Sequence, residues 1–334
     1  MKKPISNLLL AAILLLAFSL EAFAQSDFAK STANVSKIKA RQDFNGEGRT
    51  SKKGTGWSTN VQLLDELPKR VALVTFYLED PGTTKQKKSS TQIVAKLWST
   101  DAATAQAHVN GFYNESIGAL KAGFEDMGMT LLTPDEFLTS DDKKTFYNSF
   151  MAEHGPLKKN KLSVKSMTAA GTLNIQRTRV AADGYKVIWV NNENLYSTPA
   201  TIFLNTGNND AKFFESMGYK LAEGLGVDAV AAVTIVTRKP KENYYHYGVN
   251  AASLYIFTKN PIQLAEEGDT GLKGMFYIRG QFLAGSRVTY GKPELFQYQH
   301  KKKGYGPEYT GMGNVMTAMT TKINDYIQKR MSKK

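Results

Sequence analysis

The sequence contains no cysteine, which excludes disulfides, thiolate metal ligands, a cysteine nucleophile and lipid attachment through a cysteine. Histidine is scarce as well. The four present, His108, His154, His246 and His300, lie far apart and form no His-x-x-x-His or comparable pair, so neither a metal site nor a cofactor is expected. His108 falls near the apolar face of a helical pattern, where a packed imidazole is the expected reading. No Gly-x-Ser-x-Gly elbow occurs. The glycine-rich stretch from Gly46 to Gly56 lacks the Gly-x-x-x-x-Gly-Lys-Ser/Thr spacing of a phosphate loop. Glu125 and Asp126 are neighbours on a helix and therefore diverge. No catalytic residue is predicted. After residue 24 no run approaches the roughly 20 apolar residues that a membrane-spanning helix needs.

What is present begins with an export signal. Lys2 and Lys3 precede a nearly continuous apolar run from Leu8 to Leu20, followed by the small-residue pattern Ala22-Phe23-Ala24. This order predicts a leader over residues 1–24, cleavage before Gln25, and a periplasmic or secreted product. The chain has a formal charge of +13. Such an excess favours anionic partners, and outside the cytoplasm an acidic envelope polymer or envelope protein is expected ahead of nucleic acid.

Residues 25–60 are polar and rich in Ser, Lys, Gly and Thr, and read as a flexible arm or linker. Residues 61–334 read as one α/β domain, a mixed sheet with helices packed on it and a β-rich insertion near 155–207. Val71–Leu78 is a strong strand pattern. A lysine-rich loop through Lys85, Lys87 and Lys88 then leads to a strand over Thr91–Trp98, expected to run antiparallel to the first. Asp101 is suited to cap a long helix in which Val109, Phe112, Leu120 and Phe124 share the apolar face. Gly128 ends it, a short strand spans Met129–Leu132, and Thr133-Pro134-Asp135-Glu136 opens a further helix. Short β-like runs follow at Gly171–Gln176, Lys186–Val190 and Thr201–Leu204.

The clearest passage is Asn209–Arg238. Phe213, Phe214, Met217, Leu221 and Leu225 recur at helical spacing, Gly224 and Gly226 stop the helix, and Ala229–Thr237 is apolar enough for a central strand covered on both faces. A strand over Gly248–Thr258 is expected to return beside it as a hairpin. Another is expected at Met275–Leu283, and Val315, Met319, Ile323, Tyr326 and Ile327 mark a C-terminal helix. The hairpin connection, Arg238 to Tyr247, sets Lys239 and Lys241 beside Tyr244, Tyr245 and Tyr247. Cations interleaved with tyrosines on a loop make these five the predicted binding residues. Tyr305, Tyr309 and Lys301–Lys303 form a second patch of this kind.

The passage Lys69–Phe76, the long helix ending in Leu120-Lys121-Ala122-Gly123-Phe124-Glu125-Asp126-Met127-Gly128, and the stretch Gly218–Val230 together resemble the CsgG-like envelope proteins of curli secretion, over about 61–258. That resemblance implies a non-catalytic α/β envelope domain that binds other proteins, in some members as a homo-oligomer. Those relatives are often lipoproteins, and this chain lacks the cysteine. The first expected function is an exported adaptor or assembly component binding another envelope protein or polymer. The alternatives are an envelope-polymer hydrolase with a site built from distant acids, and a polyanion binder.

Overall fold

The computed structural model describes residues 25–42, 67–88, 93–154, 178–188, 220–240, 245–258, 282–300 and 303–331. Its elements are α1 (Asp27–Thr32), β1 (Arg41–Gln42), β2 (Arg70–Asp80), β3 (Thr83–Lys88), β4 (Ile93–Trp98), α2 (Ala102–Asp126), β5 (Thr130–Leu132), α3 (Pro134–Phe137), α4 (Asp141–His154), β6 (Thr178–Ala181), α5 (Ala222–Leu225), β7 (Ala229–Arg238), β8 (Tyr247–Thr258), β9 (Phe282–His300), β10 (Lys303–Tyr305) and α6 (Met312–Met331). The main sheet has the order β1-β9-β8-β7-β2-β5, with β10 on β9 and β6 on β2. β2 runs parallel to β5 and β7, whereas the other pairings in it are antiparallel. The result is a mixed α/β sheet with helices packed on it. No helix among the described residues is long and apolar enough to cross a membrane.

β7 is central because its composition lets it be covered on both sides. Ala229, Ala231, Val233 and Ile235 join the core beneath α2 and α6. Val230 and Ala232 join the opposite core, beneath α3, α4 and α5, where Leu221, Leu225, Tyr147 and Phe150 also lie. The strand is fully buried until Arg238. Gly226 ends α5 with φ of 66°, a left-handed conformation that glycine adopts without strain and a Cβ would disfavour.

The far edge of β2 is shared between two partners. β5 takes Arg70–Ala72 and β6 takes Tyr77–Asp80. Polar side chains fill the gap between them. The Tyr147 hydroxyl donates to the Val74 carbonyl at 2.6 Å, and the Thr75 hydroxyl donates to the Lys186 carbonyl at 2.7 Å while accepting from the Ile188 amide at 3.2 Å. Unpaired backbone groups at this buried position would otherwise be costly. Burial pushes the Tyr147 phenol well above its ordinary range, so it remains a donor. Local end signals also act as read: the Asp101 carboxylate accepts from the Thr104 amide at 2.8 Å, and Glu136 reaches back to the Thr133 amide at 2.7 Å.

Four expectations are corrected. Part of the supposed arm is folded: Phe28 is completely buried, and β1 pairs with β9 at Ser286 and Arg287. The lysine-rich loop is strand β3, and β4 pairs with it in a separate two-stranded sheet rather than with β2. The described strand of the insertion is β6, whereas residues 186–188 are not extended into a ladder; the runs at 171–176 and 201–204 lie outside the described residues. The strand expected to end at Leu283 continues to His300. Residues 209–219 of the helix pattern, 43–60 of the arm and 275–281 also fall outside the described residues.

Candidate functional site

In an open sheet with parallel strands, ligands collect where the carboxyl ends of those strands emerge. Here the carboxyl ends of β2 and β7 bring together Glu79, Asp80, Arg238 and Lys239. Asp80 is fully buried and accepts hydrogen bonds from the Gly82 amide at 2.8 Å and from the Thr100 amide and hydroxyl at 2.7 Å each. This fixes the chain entering α2. Beside it the buried Glu79 pairs with Arg179 of β6 at 3.3 Å. Both acids are committed to the scaffold by these contacts.

Of the connection singled out by its cations and tyrosines, the two ends are described. The Trp98 indole N–H donates to the Lys239 carbonyl at 2.9 Å, tying the end of β4 to the end of β7. The Lys239 ammonium then lies 5.7 Å from the centre of the Tyr247 ring, within cation–π range. Tyr245 is 60% exposed, the one large hydrophobic side chain so exposed among the described residues. Tyr244 and Lys241 lie outside the described residues.

Tyr247 does not belong to the surface. It is 2% exposed and packs edge-on to His108, with ring centres 4.8 Å apart. Two residues separate an exposed tyrosine from a core one because the amino end of α2 covers the strand at Tyr247 and not at Tyr245. Burial first, and the nearby Asp101 carboxylate second, raise the Tyr247 phenol to about 12.

The second predicted patch also divides. Lys301 and Lys302 lie outside the described residues, and Lys303 is exposed. Tyr309 is a packing residue: its ring lies on Gly111 of α2 so closely that a Cβ there would collide with it, and its hydroxyl is 3.0 Å from His108 Nδ1. Tyr305 joins a group that the sequence did not suggest. His246 stacks on Tyr298 at 4.3 Å with a 12° interplanar angle, His300 lies 6.5 Å from Tyr298 on a near-parallel plane, and Tyr305 lies 5.8 Å from the same ring. The signal available was the spacing Tyr298-x-His300, which counts only once the segment is known to be a strand.

His108 is packed, as its position suggested. It is 3% exposed and surrounded by Tyr247, Phe296 and Tyr309. Burial lowers its pKa from 6.5 to about 4, against a weaker opposing pull from Asp101, so the ring is neutral at ordinary pH. Placing alanine at Gly111 tests this packing. Helix propensity favours Ala over Gly by about 1 kcal/mol, whereas forcing a methyl into a filled contact costs about 1–3 kcal/mol. Gly111→Ala is therefore expected to lower the melting temperature; a rise would show that the Tyr309 ring yields without cost.

Among the described residues no group of three or more His, Asp or Glu side chains is placed to hold a metal ion. What the described ends of this connection offer chemically is an exposed aromatic ring at Tyr245 and a cation at Lys239 lying over Tyr247, groups that suit binding. Comparison with family models, with curated proteins and with solved structures finds no match for this chain.

Proposed function

We propose that this chain is a non-catalytic component of the bacterial envelope, exported by a cleaved leader, that binds an envelope protein or anionic envelope polymer through the Lys239–Tyr245 edge. The supporting observation is that Tyr245 is 60% exposed, in the same connection as Lys239, whose carbonyl accepts from Trp98. A backbone held at Lys239 lowers the entropy lost when a partner docks there. The resemblance to CsgG-like proteins favours the same reading. It is consistent with the acids of this edge, Glu79 and Asp80, being held by protein contacts.

A photoreactive residue at position 245, introduced in cells, is expected to crosslink to an envelope component. Tyr245→Ser combined with Lys239→Ser should abolish binding of that component at least tenfold, because buried interface aromatics commonly contribute about 2 kcal/mol or more. Tyr245→Ser alone should leave the melting temperature within about 1–2 °C, since surface substitutions stay within about 0.5 kcal/mol. Undiminished binding by the double variant would refute this assignment. A partner whose affinity collapses with salt would identify a polyanion. Export itself is checked by N-terminal sequencing, with Gln25 as the expected first residue.

A further inference from the structure

The segment between β10 and α6 carries two sets of contacts. On one side it holds the N-terminal segment: the Ser26 amide donates to Glu308 at 2.6 Å, the Asp27 amide to the Tyr305 hydroxyl at 3.5 Å, and Thr32 lies against Gly311. Just beyond it, the Asn314 side-chain amide donates to the Thr32 carbonyl at 2.9 Å. On the other side it is fastened to α2 through Tyr309, seated on Gly111 with its hydroxyl 3.0 Å from His108 Nδ1.

That second fastening contains a titratable group in an unusual setting. His108 Nε2 is buried and has no hydrogen-bond partner among the described residues. Tyr247 and Phe296 meet the imidazole edge to face, at 4.8 and 4.9 Å, and aromatic faces accept an N–H only weakly. The neutral imidazole is accommodated with Nδ1 and the Tyr309 hydroxyl sharing one hydrogen bond, and that hydroxyl also lies 3.5 Å from the Ala107 carbonyl. The imidazolium makes Nδ1 a donor, so the Tyr309 hydroxyl must accept from it and keeps only the long contact to the Ala107 carbonyl for its own proton, and a full charge enters an apolar enclosure.

We propose that His108 and Tyr309 form an acid-sensitive clasp, in which protonation of His108 releases the Tyr305–Gly311 segment and with it the N-terminal segment Ser26–Thr32. Among the described residues, the charged and titratable groups facing His108 are few. β8 contributes Tyr247, with Lys239 beyond its ring; the segment before α6 contributes Tyr309; its own helix is headed by Asp101. β9 presents Phe296, which is apolar. Asp101 sits seven residues earlier, about 10 Å along the helix axis, too far to neutralise an imidazolium.

The direction follows from linkage. The clasped form has the lowered pKa of about 4, and opening that hydrates the ring moves it toward the ordinary 6.5, so between these values the open form binds more protons and acid favours opening. Above 6.5 the effect is absent, and below 4 it saturates. One proton with these two limits increases the opening equilibrium by up to about twentyfold between pH 7 and pH 5.

Hydrogen exchange of the full chain, corrected for intrinsic rates, reads this directly. Peptides covering 26–33 and 305–312 are expected to lose protection together between pH 7 and pH 5. In His108→Phe and in His108→Gln, neither of which titrates, the same peptides should show a pH dependence reduced to less than about threefold, a residue of the nearby carboxylates. Two carboxylates offer a competing route: Glu308 holds Ser26, and Glu294 has its pKa raised by burial and by Asp27. Loss of protection at 26–33 alone, or an undiminished pH dependence in both variants, would assign the release to them and overturn the clasp. A proton NMR titration of His108 in the unmodified protein with a midpoint at 6 or above overturns it equally, whether or not the variants fold.

Discussion

A Phe28→Ala variant is expected to lose about 3–5 kcal/mol of unfolding free energy, the range for truncating a buried aromatic. Phe28 is fully buried although it lies on a helix of six residues. Its ring meets Phe112 at 6.1 Å and Tyr290 at 6.4 Å, both edge to face, and such contacts add to simple area burial. It thus joins α1 to α2 and to β9, elements distant in sequence. Against a total stability of about 5–15 kcal/mol for a typical domain, this loss is large. Denaturant unfolding should show a lower midpoint with little change in slope. A loss below about 1 kcal/mol would mean that α1 detaches without disturbing the domain, and would return residues 25–42 to the status of a loose arm.

The reason the sequence read that segment as an arm is physical. Phe28 and Ala29 are isolated apolar residues in a polar stretch, and a helix of this length is not stable alone. What buries them is contributed by Phe112 and Tyr290, too remote for any local window to register. The same reason accounts for β9. Lys292, Pro293 and Glu294 interrupt its alternation, and its ladder with β8 breaks register at three places, so no period-2 signal survives. The pattern of β4 points to the nearest strong strand, whereas its partner is a lysine-rich run with little apolar content.

Where the determinant is local, the chain is legible. The Asp101 cap, the turn at Gly226 and the two-faced apolar run of β7 all lie where the pattern places them. The candidate site shows both cases. Cations beside tyrosines single out the connection from Lys239 to Tyr247 as a candidate, and Tyr245 is exposed, but Tyr247, two residues on, is covered by α2 and packs on His108. Nothing in the loop itself distinguishes the two tyrosines. His108 likewise acquires its interest from Tyr309, a partner 201 residues away.

The second large effect is expected at Leu221, and it tests the other face of the sheet. Leu221 is fully buried in the core formed by Ala72, Val74, Tyr147, Phe150, Leu225, Val230 and Phe257. Leu221→Ala should cost about 2–5 kcal/mol, of which the transfer of the removed methyl groups is one part and the residual cavity the other. The position within that range depends on whether neighbours can close the gap. α5 sits tightly against α4, since a Cβ at Gly224 would collide with the Phe146 ring, and β7 beneath is held in a ladder on both sides. Collapse is therefore restricted from above and below, which places the expected loss in the upper half of the range. Glu223, exposed two residues away, provides the comparison: Glu223→Ala should change stability by no more than about 0.5 kcal/mol. Similar losses in both variants would show that α5 is marginal as a helix and that Leu221 does not act through packing. A loss at Leu221 alone would place the second core where the alternation of Val230 and Ala232 puts it, on the face opposite α2 and α6.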